Sequence, residues 1–234
     1  MRQIWHIFRR EFAAYFVSPV AYIVITAFLL VTGWFFFSPF FLQGQATLRP
    51  FFGMLPYVLS FVVPAVTMKL FAEELHTGSY ELLMTLPVNL AQVLAAKLAA
   101  ASAFVAVMLT PTLAYAVSVD LVGDLDWGAA AGGYIGALLL GVAFSAVGLF
   151  ASALTRSQIV AFIVAAAVCF VLTLLDAMLF FVPDALMAVA AHLSTGAHFD
   201  NIAKGVADSR DILYFLSVAF VALYGAYLVL SEKQ

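Results

Sequence analysis

Six long, almost wholly apolar stretches alternate with short polar connectors along this chain. They run about Pro19 to Leu42, Met54 to Phe71, Val93 to Val119, Gly128 to Leu154, Ile159 to Val182 and Ile212 to Leu230. Their lengths are those of bilayer-spanning helices, which need roughly 20 apolar residues. The opening segment MRQIWHIFRREFAAYF differs in kind. Ile4, Ile7, Phe8, Phe12 and Tyr15 recur at three- and four-residue spacing, while Arg2, Arg9, Arg10 and Glu11 populate the other side. That pattern predicts an amphipathic helix over 1–18 lying in the membrane interface. The apolar run after it is too long for a signal peptide and lacks a small-residue cleavage site, so the segment is expected to be retained. The fold class this predicts is all-α: a polytopic integral membrane protein with six transmembrane helices, forming a single transmembrane domain over 1–234.

Composition agrees with the pattern. The chain is 65% hydrophobic and only 10% charged, against about 25% charged in soluble domains. Its one cysteine, Cys169, lies within an apolar run, which leaves no intrachain disulfide framework and no zinc spacing. The net charge of −3 matters less than its placement. With the N-terminus inside, the inner side receives Arg2, Arg9, Arg10, Lys69, Lys97, Arg156 and Lys233, and the outer side only Arg49, Lys204 and Arg210. The excess of inner basic residues places both termini in the cytoplasm.

One polar interruption stands out: EELHTGSYELLMTLPVN, from Glu73 to Asn89. Gly78 can start a helical turn, Glu81 suits its positive end, and Pro87 stops it. Thr77, Glu81 and Thr85 share one face, and Tyr80, Leu82, Leu83, Met84 and Leu86 cover the rest. A helix this short does not stand alone in water. It needs a surface, either a groove on a protein partner or the membrane edge itself.

Glu73 and Glu74, a short spacer, then GSYELLMTLPV and AAKLAA resemble the loop between the second and third spans of ABC exporter permeases of the type-2 exporter superfamily. The matching positions are Glu73, Glu74, Gly78, Ser79, Glu81, Leu82, Leu83, Leu86, Pro87, Val88 and Lys97. FRREFAAYFVSPVAYIV near the start and HFDNIAKGVADSRDILYFLS before the last span agree as well. Within the superfamily the likeness is to the small permeases of gliding-motility and nitrous-oxide-reductase-maturation loci. The resemblance implies that 72–92 is a cytoplasmic coupling loop whose helix docks, through Tyr80 among others, into a separate ABC ATPase. It also implies an inner-membrane location, a homodimer, and a possible extracytoplasmic accessory subunit. The chain carries no G-x-x-x-x-G-K-[ST] phosphate loop. ATP and Mg are therefore expected in the partner, with no cofactor, metal or catalytic residue in this chain and no nucleic-acid partner.

Other features bear on a pathway or gate. Asp176 falls near the outer third of span five and reads either as an ion or substrate contact or as a hydrated structural carboxylate. Pro56, Pro64 and Pro111 bend spans two and three, as gate elements or as accommodated kinks. In span four Ala129, Gly133, Ala137, Gly141 and Ser145 repeat every four residues beside Gly132 and Gly136, a stripe that admits a close helix from the same subunit or from a second one. Between 183 and 211 two short interfacial or re-entrant helices are expected, one through Leu186, Val189, Ala190 and Leu193, the other through Phe199, Ile202, Ala203 and Val206. The resemblance puts the outer gate there. His198 and Asp200, with His192, do not complete a metal site. No nucleophile and base converge within the spans, which argues against an intramembrane enzyme. An ion-coupled secondary transporter using Asp176 remains the alternative to an ATP-driven exporter or mechanical transmitter, and no residue names a substrate.

Overall fold

The computed structural model describes residues 2–43, 47–84, 88–178, 192–205 and 208–233, and these are helical with no strand among them. The helices are α1 (Arg2–Val17), α2 (Pro19–Gln43), α3 (Arg49–Thr67), α4 (Lys69–Thr77), α5 (Ser79–Met84), α6 (Leu90–Leu109), α7 (Leu113–Val122), α8 (Trp127–Leu154), α9 (Gln158–Met178), α10 (Thr195–Ala203) and α11 (Ser209–Ser231). Six candidate membrane spans result: α2, α3 with α4, α6 with α7, α8, α9 and α11.

Local chemistry fixes the helix starts. Asn89 and Gln92 form a reciprocal capping box at the head of α6. Asp126, Ser194 and Asp208 cap α8, α10 and α11 through side-chain oxygens on free backbone N–H groups.

One span runs past the bound its sequence pattern predicts, and another keeps its continuity across a proline. Span two does not end at Phe71. Its helical path continues through α4 to Thr77, because Leu70, Ala72, Glu73, Glu74 and Leu75 are good helix formers whatever their hydropathy. Gly78, at φ 73°, stops it in the left-handed region that glycine enters freely, so Gly78 closes one helix as well as preceding the next. Span three is not broken at Pro111: a single 3-10 turn, Thr110–Thr112, joins α6 to α7. Tyr134 donates to the Thr112 carbonyl at 2.8 Å, and the Thr112 hydroxyl donates to the Leu109 carbonyl at 2.7 Å, so side-chain donors brace the backbone on both sides of the proline.

α8 is the central helix, with 72% of its spanning window buried against 22% for α2 and for α11. It packs on α3, α4, α6, α9, α10 and α11. Its small-residue stripe is filled from within the subunit. A Cβ at Gly141 would meet Val105 of α6 at 2.7 Å, one at Gly132 would meet the Ile202 carbonyl of α10 at 2.5 Å, and Gly133 lies under the Phe52 ring of α3. Of the two readings of the stripe, packing inside the subunit is the one the fold adopts.

One face of the bundle carries α1, the α4–α5 elbow, the junction of α8 with α9 and the end of α11. The opposite face carries the α7–α8 connection and α10. α1 packs along α6, with Tyr15 and Phe16 against Phe104 at ring separations of 4.9 and 5.8 Å.

Candidate functional site

The elbow between α4 and α5 is held by side chains from three other helices. Lys97, on α6, is 1% exposed and reaches three oxygens: the Leu70 carbonyl at 2.7 Å, Glu74 Oε1 at 2.7 Å and Glu11 Oε1 at 3.4 Å. It donates hydrogen bonds to the first two and holds Glu11 as an ion pair. The same nitrogen lies 4.9 Å from the centre of the Phe71 ring. Arg10 extends the network, 2.8 Å from Glu11 and 3.9 Å from Glu74. Glu74 Oε2 is buried and has no partner among the described residues. Burial of a charge is tolerable only with such pairing, so α1, α4 and α6 are electrostatically tied at one point.

This arrangement separates the two members of the acidic pair. Glu73 is exposed, whereas Glu74 turns inward to Lys97. Glu11, which the α1 pattern puts on the polar outer side, also turns inward, because Lys97 draws it there.

At the break between α3 and α4 the Ser152 hydroxyl of α8 enters the backbone ladder. Phe71 and Ala72 each donate N–H to Ser152 Oγ at 2.9 Å, and Ser152 donates to the Met68 carbonyl at 2.8 Å. Lys69, beyond the break, lies 5.0 Å from the centre of the Tyr15 ring.

α5 returns from Gly78. Tyr80 is 3% exposed and donates its hydroxyl to the Leu230 carbonyl near the end of α11 at 3.0 Å, with its ring edge-on to Phe71. Tyr80 therefore cannot fill a partner's groove from this position, and its burial corrects the outward placement expected of it. Its aromatic ring finds a cavity between α4 and α11 that the helical pattern alone could not show. Lys233 donates to the Ala153 carbonyl at 2.8 Å, and burial followed by repulsion from Arg156 lowers its pKa from the ordinary lysine value. Glu73, His76, Thr77, Gly78, Ser79 and Glu81 are left exposed on the elbow. α5 includes Leu82 and Leu83, whose side chains, like the whole of Leu86 and Pro87, lie outside the described residues.

The remaining candidates sit on the opposite side of the bundle and do not converge with the elbow. Asp176 is exposed, two residues before the last described residue of α9. Pro111 is exposed within its 3-10 turn, and Asp200 is exposed on α10. His198 joins α10 to α11: Nδ1 is 2.6 Å from Asp211 Oδ1, Nε2 is 3.2 Å from the His192 carbonyl, and its ring stacks on Tyr214 at 4.1 Å. The first helix expected between 183 and 211 falls largely outside the described residues. The second is α10, with Phe199, Ile202 and Ala203 buried against the bundle.

The sequence reading missed Ser152. Its signal was the continuation of the small-residue face: Gly141, Ser145, Gly148 and Ser152 follow one another at four- and three-residue steps.

The family model described as ABC-2 family transporter protein matches residues 35–227, from within α2 to within α11. No curated protein matches the chain.

Proposed function

We propose that this chain, which belongs to the ABC-2 family of transporter proteins, is the permease subunit through which a separate ABC ATPase drives export or transmits mechanical work across the membrane. The observation that carries this reading is the elbow. The elbow of α4 and α5, with its exposed polar row on one end of a six-span bundle, is braced at once from α6 and α1 through Glu74, from α8 through Phe71 and Ala72, and from α11 through Tyr80, so force applied there reaches four helices of the bundle. A membrane-edge helix with no partner has no need of four braces. In this reading the face bearing the termini is cytoplasmic, consistent with its excess of Lys and Arg. A second copy of the chain completes the permease, and the ATP and Mg belong to the partner. The resemblance to gliding-motility and nitrous-oxide-reductase-maturation permeases narrows the proposal toward machines that include an extracytoplasmic subunit.

The test is co-purification of the ATPase with a tagged permease. An unpaired charge buried at the contact costs several kcal/mol, which lowers association by roughly two orders of magnitude or more. Leu83→Asp is expected to lose the ATPase while inserting normally into the membrane, and Glu81→Lys to retain much of the binding with impaired turnover. Stoichiometric ATPase and normal turnover with Leu83→Asp would overturn the proposal.

A further inference from the structure

The discontinuity between α3 and α4 is kept open by a side chain of another span. In an unbroken helix Phe71 and Ala72 would donate to the carbonyls of Thr67 and Met68. Both donate instead to Ser152 Oγ, which itself donates to Met68. A hydroxyl offers one donor and two acceptor sites, and Ser152 uses all of them in a setting where Ser152, Phe71 and Ala72 are fully buried. Insertion of a side chain into the ladder is one of the few causes of a sharp helix kink. One turn earlier on α8, Gly148 leaves the room that the Thr67 hydroxyl occupies. α8 thus presents a notch and a peg to the two sides of the break.

We propose that Ser152 is a positioning residue for coupling, the pin of a hinge on which the α4–α5 arm turns relative to the bundle. The role in coupling rests on the reading that the arm meets an ATPase; the hinge itself does not. What makes the site a hinge is that the hydrogen bonds can be exchanged without loss. If Ser152 withdraws, its hydroxyl can donate to the Gly148 carbonyl of its own helix, a bond open to serine at i−4. Phe71 and Ala72 can then close on Thr67 and Met68. Three hydrogen bonds form at the break in either arrangement, so the exchange costs no bond there while the arm changes direction. Lys97 grips the Leu70 carbonyl just beyond the break through a long, flexible side chain, and it can follow the arm as it moves.

The scale of the motion follows from geometry. α4 has nine residues; at about 1.5 Å per residue, releasing a kink of about 20° swings its far end by ~5 Å.

The experiment places spin labels at His76→Cys on the arm and Ile159→Cys on α9, both exposed positions, in a Cys169→Ala background. Distances are measured in lipid nanodiscs, first on the permease alone and then with the ATPase and a non-hydrolysable ATP analogue. Ser152→Ala removes the pin and is expected to shift the mean distance of the permease alone by ~5 Å, the swing set by helix rise and kink, and to abolish any response to nucleotide. Ser152→Thr retains the hydroxyl and is expected to restore both. Gly148→Ala, which fills the notch and leaves the hydroxyl intact, is expected to displace the arm from the other side; it serves as the second test if Ser152→Ala does not fold. Wild-type distances in Ser152→Ala, or in Gly148→Ala where that is the variant that folds, would overturn the hinge. Absence of a co-purifying ATPase in the wild type would overturn the coupling role and the parent reading, while the distances in the permease alone would still decide the hinge.

Discussion

The elbow of α4 and α5 and the seat of α10 are both short helical elements at the ends of the same bundle, yet they are fastened by different physics. The elbow is fastened by polar groups: Lys97 donates to its backbone and pairs with Glu11, Ser152 accepts from it, and its own Tyr80 donates to the Leu230 carbonyl of α11. α10 adds shape to its polar contacts, with Ile202 and Phe199 lodged against Gly132 and Gly136, and with buried Thr195 and Asp211 paired to Tyr214 and His198. A polar seam can trade one hydrogen-bond partner for another at nearly constant energy. A steric seam can only hold or separate, because packed surfaces have no alternative partner within reach. On the hinge proposed at Ser152, the elbow is the end that moves and α10 the end that stays.

The contrast can be broken most severely at Lys97. Lys97→Met removes the buried cation between Glu74 and Glu11 and leaves them only the exposed Arg10, a change expected to cost about 3–5 kcal/mol. A large fall in the unfolding midpoint in detergent would show it, and adding Glu74→Leu should recover part of the loss. The steric seam is tested next at Gly132, where a side chain would collide with the Ile202 backbone carbonyl. Gly132→Leu is expected to cost about 1–3 kcal/mol by overpacking. It should also expose Ala203→Cys, a position now buried, to a membrane-impermeant thiol reagent, while the elbow stays unchanged.

A finer cut is Tyr80→Phe, which keeps the ring and removes the bond to the Leu230 carbonyl, and should cost about 1 kcal/mol. Faster amide exchange confined to α5 is the expected signature; exchange spreading into α8 would mean that the strut carries more of the fold than one bond. The smallest effect is expected at Asp176. Exposed at the end of α9, its replacement by Asn should change stability by no more than about 0.5 kcal/mol and should leave transport largely intact. Complete loss of transport in a normally assembled protein would revive the ion-coupled alternative.

Much of this molecule was fixed by local pattern. Runs of apolar residues set the six spans, because a helix alone satisfies its backbone in lipid. Gly78 was legible as the start of a turn, and the structure adds that it also ends α4, at a φ of 73° that glycine takes without strain. The polar break from Glu73 onward marked where the chain leaves the bundle. Tertiary structure decided the rest. Glu73 and Glu74 are neighbours with the same chemistry, and only the position of Lys97 on another helix sends one outward and the other inward. Tyr80 belongs to an apolar face that reads equally well as docking surface or as core, and only the end of α11 makes it core. Ser152 sits in a run of small residues and acquires its role from a break on a different span. In a bilayer the solvent is as apolar as the protein interior, so hydrophobic pattern does not separate lipid-facing from helix-facing positions. Which side chains meet is left to small residues and to buried polar groups, and their partners lie tens of residues away in the chain.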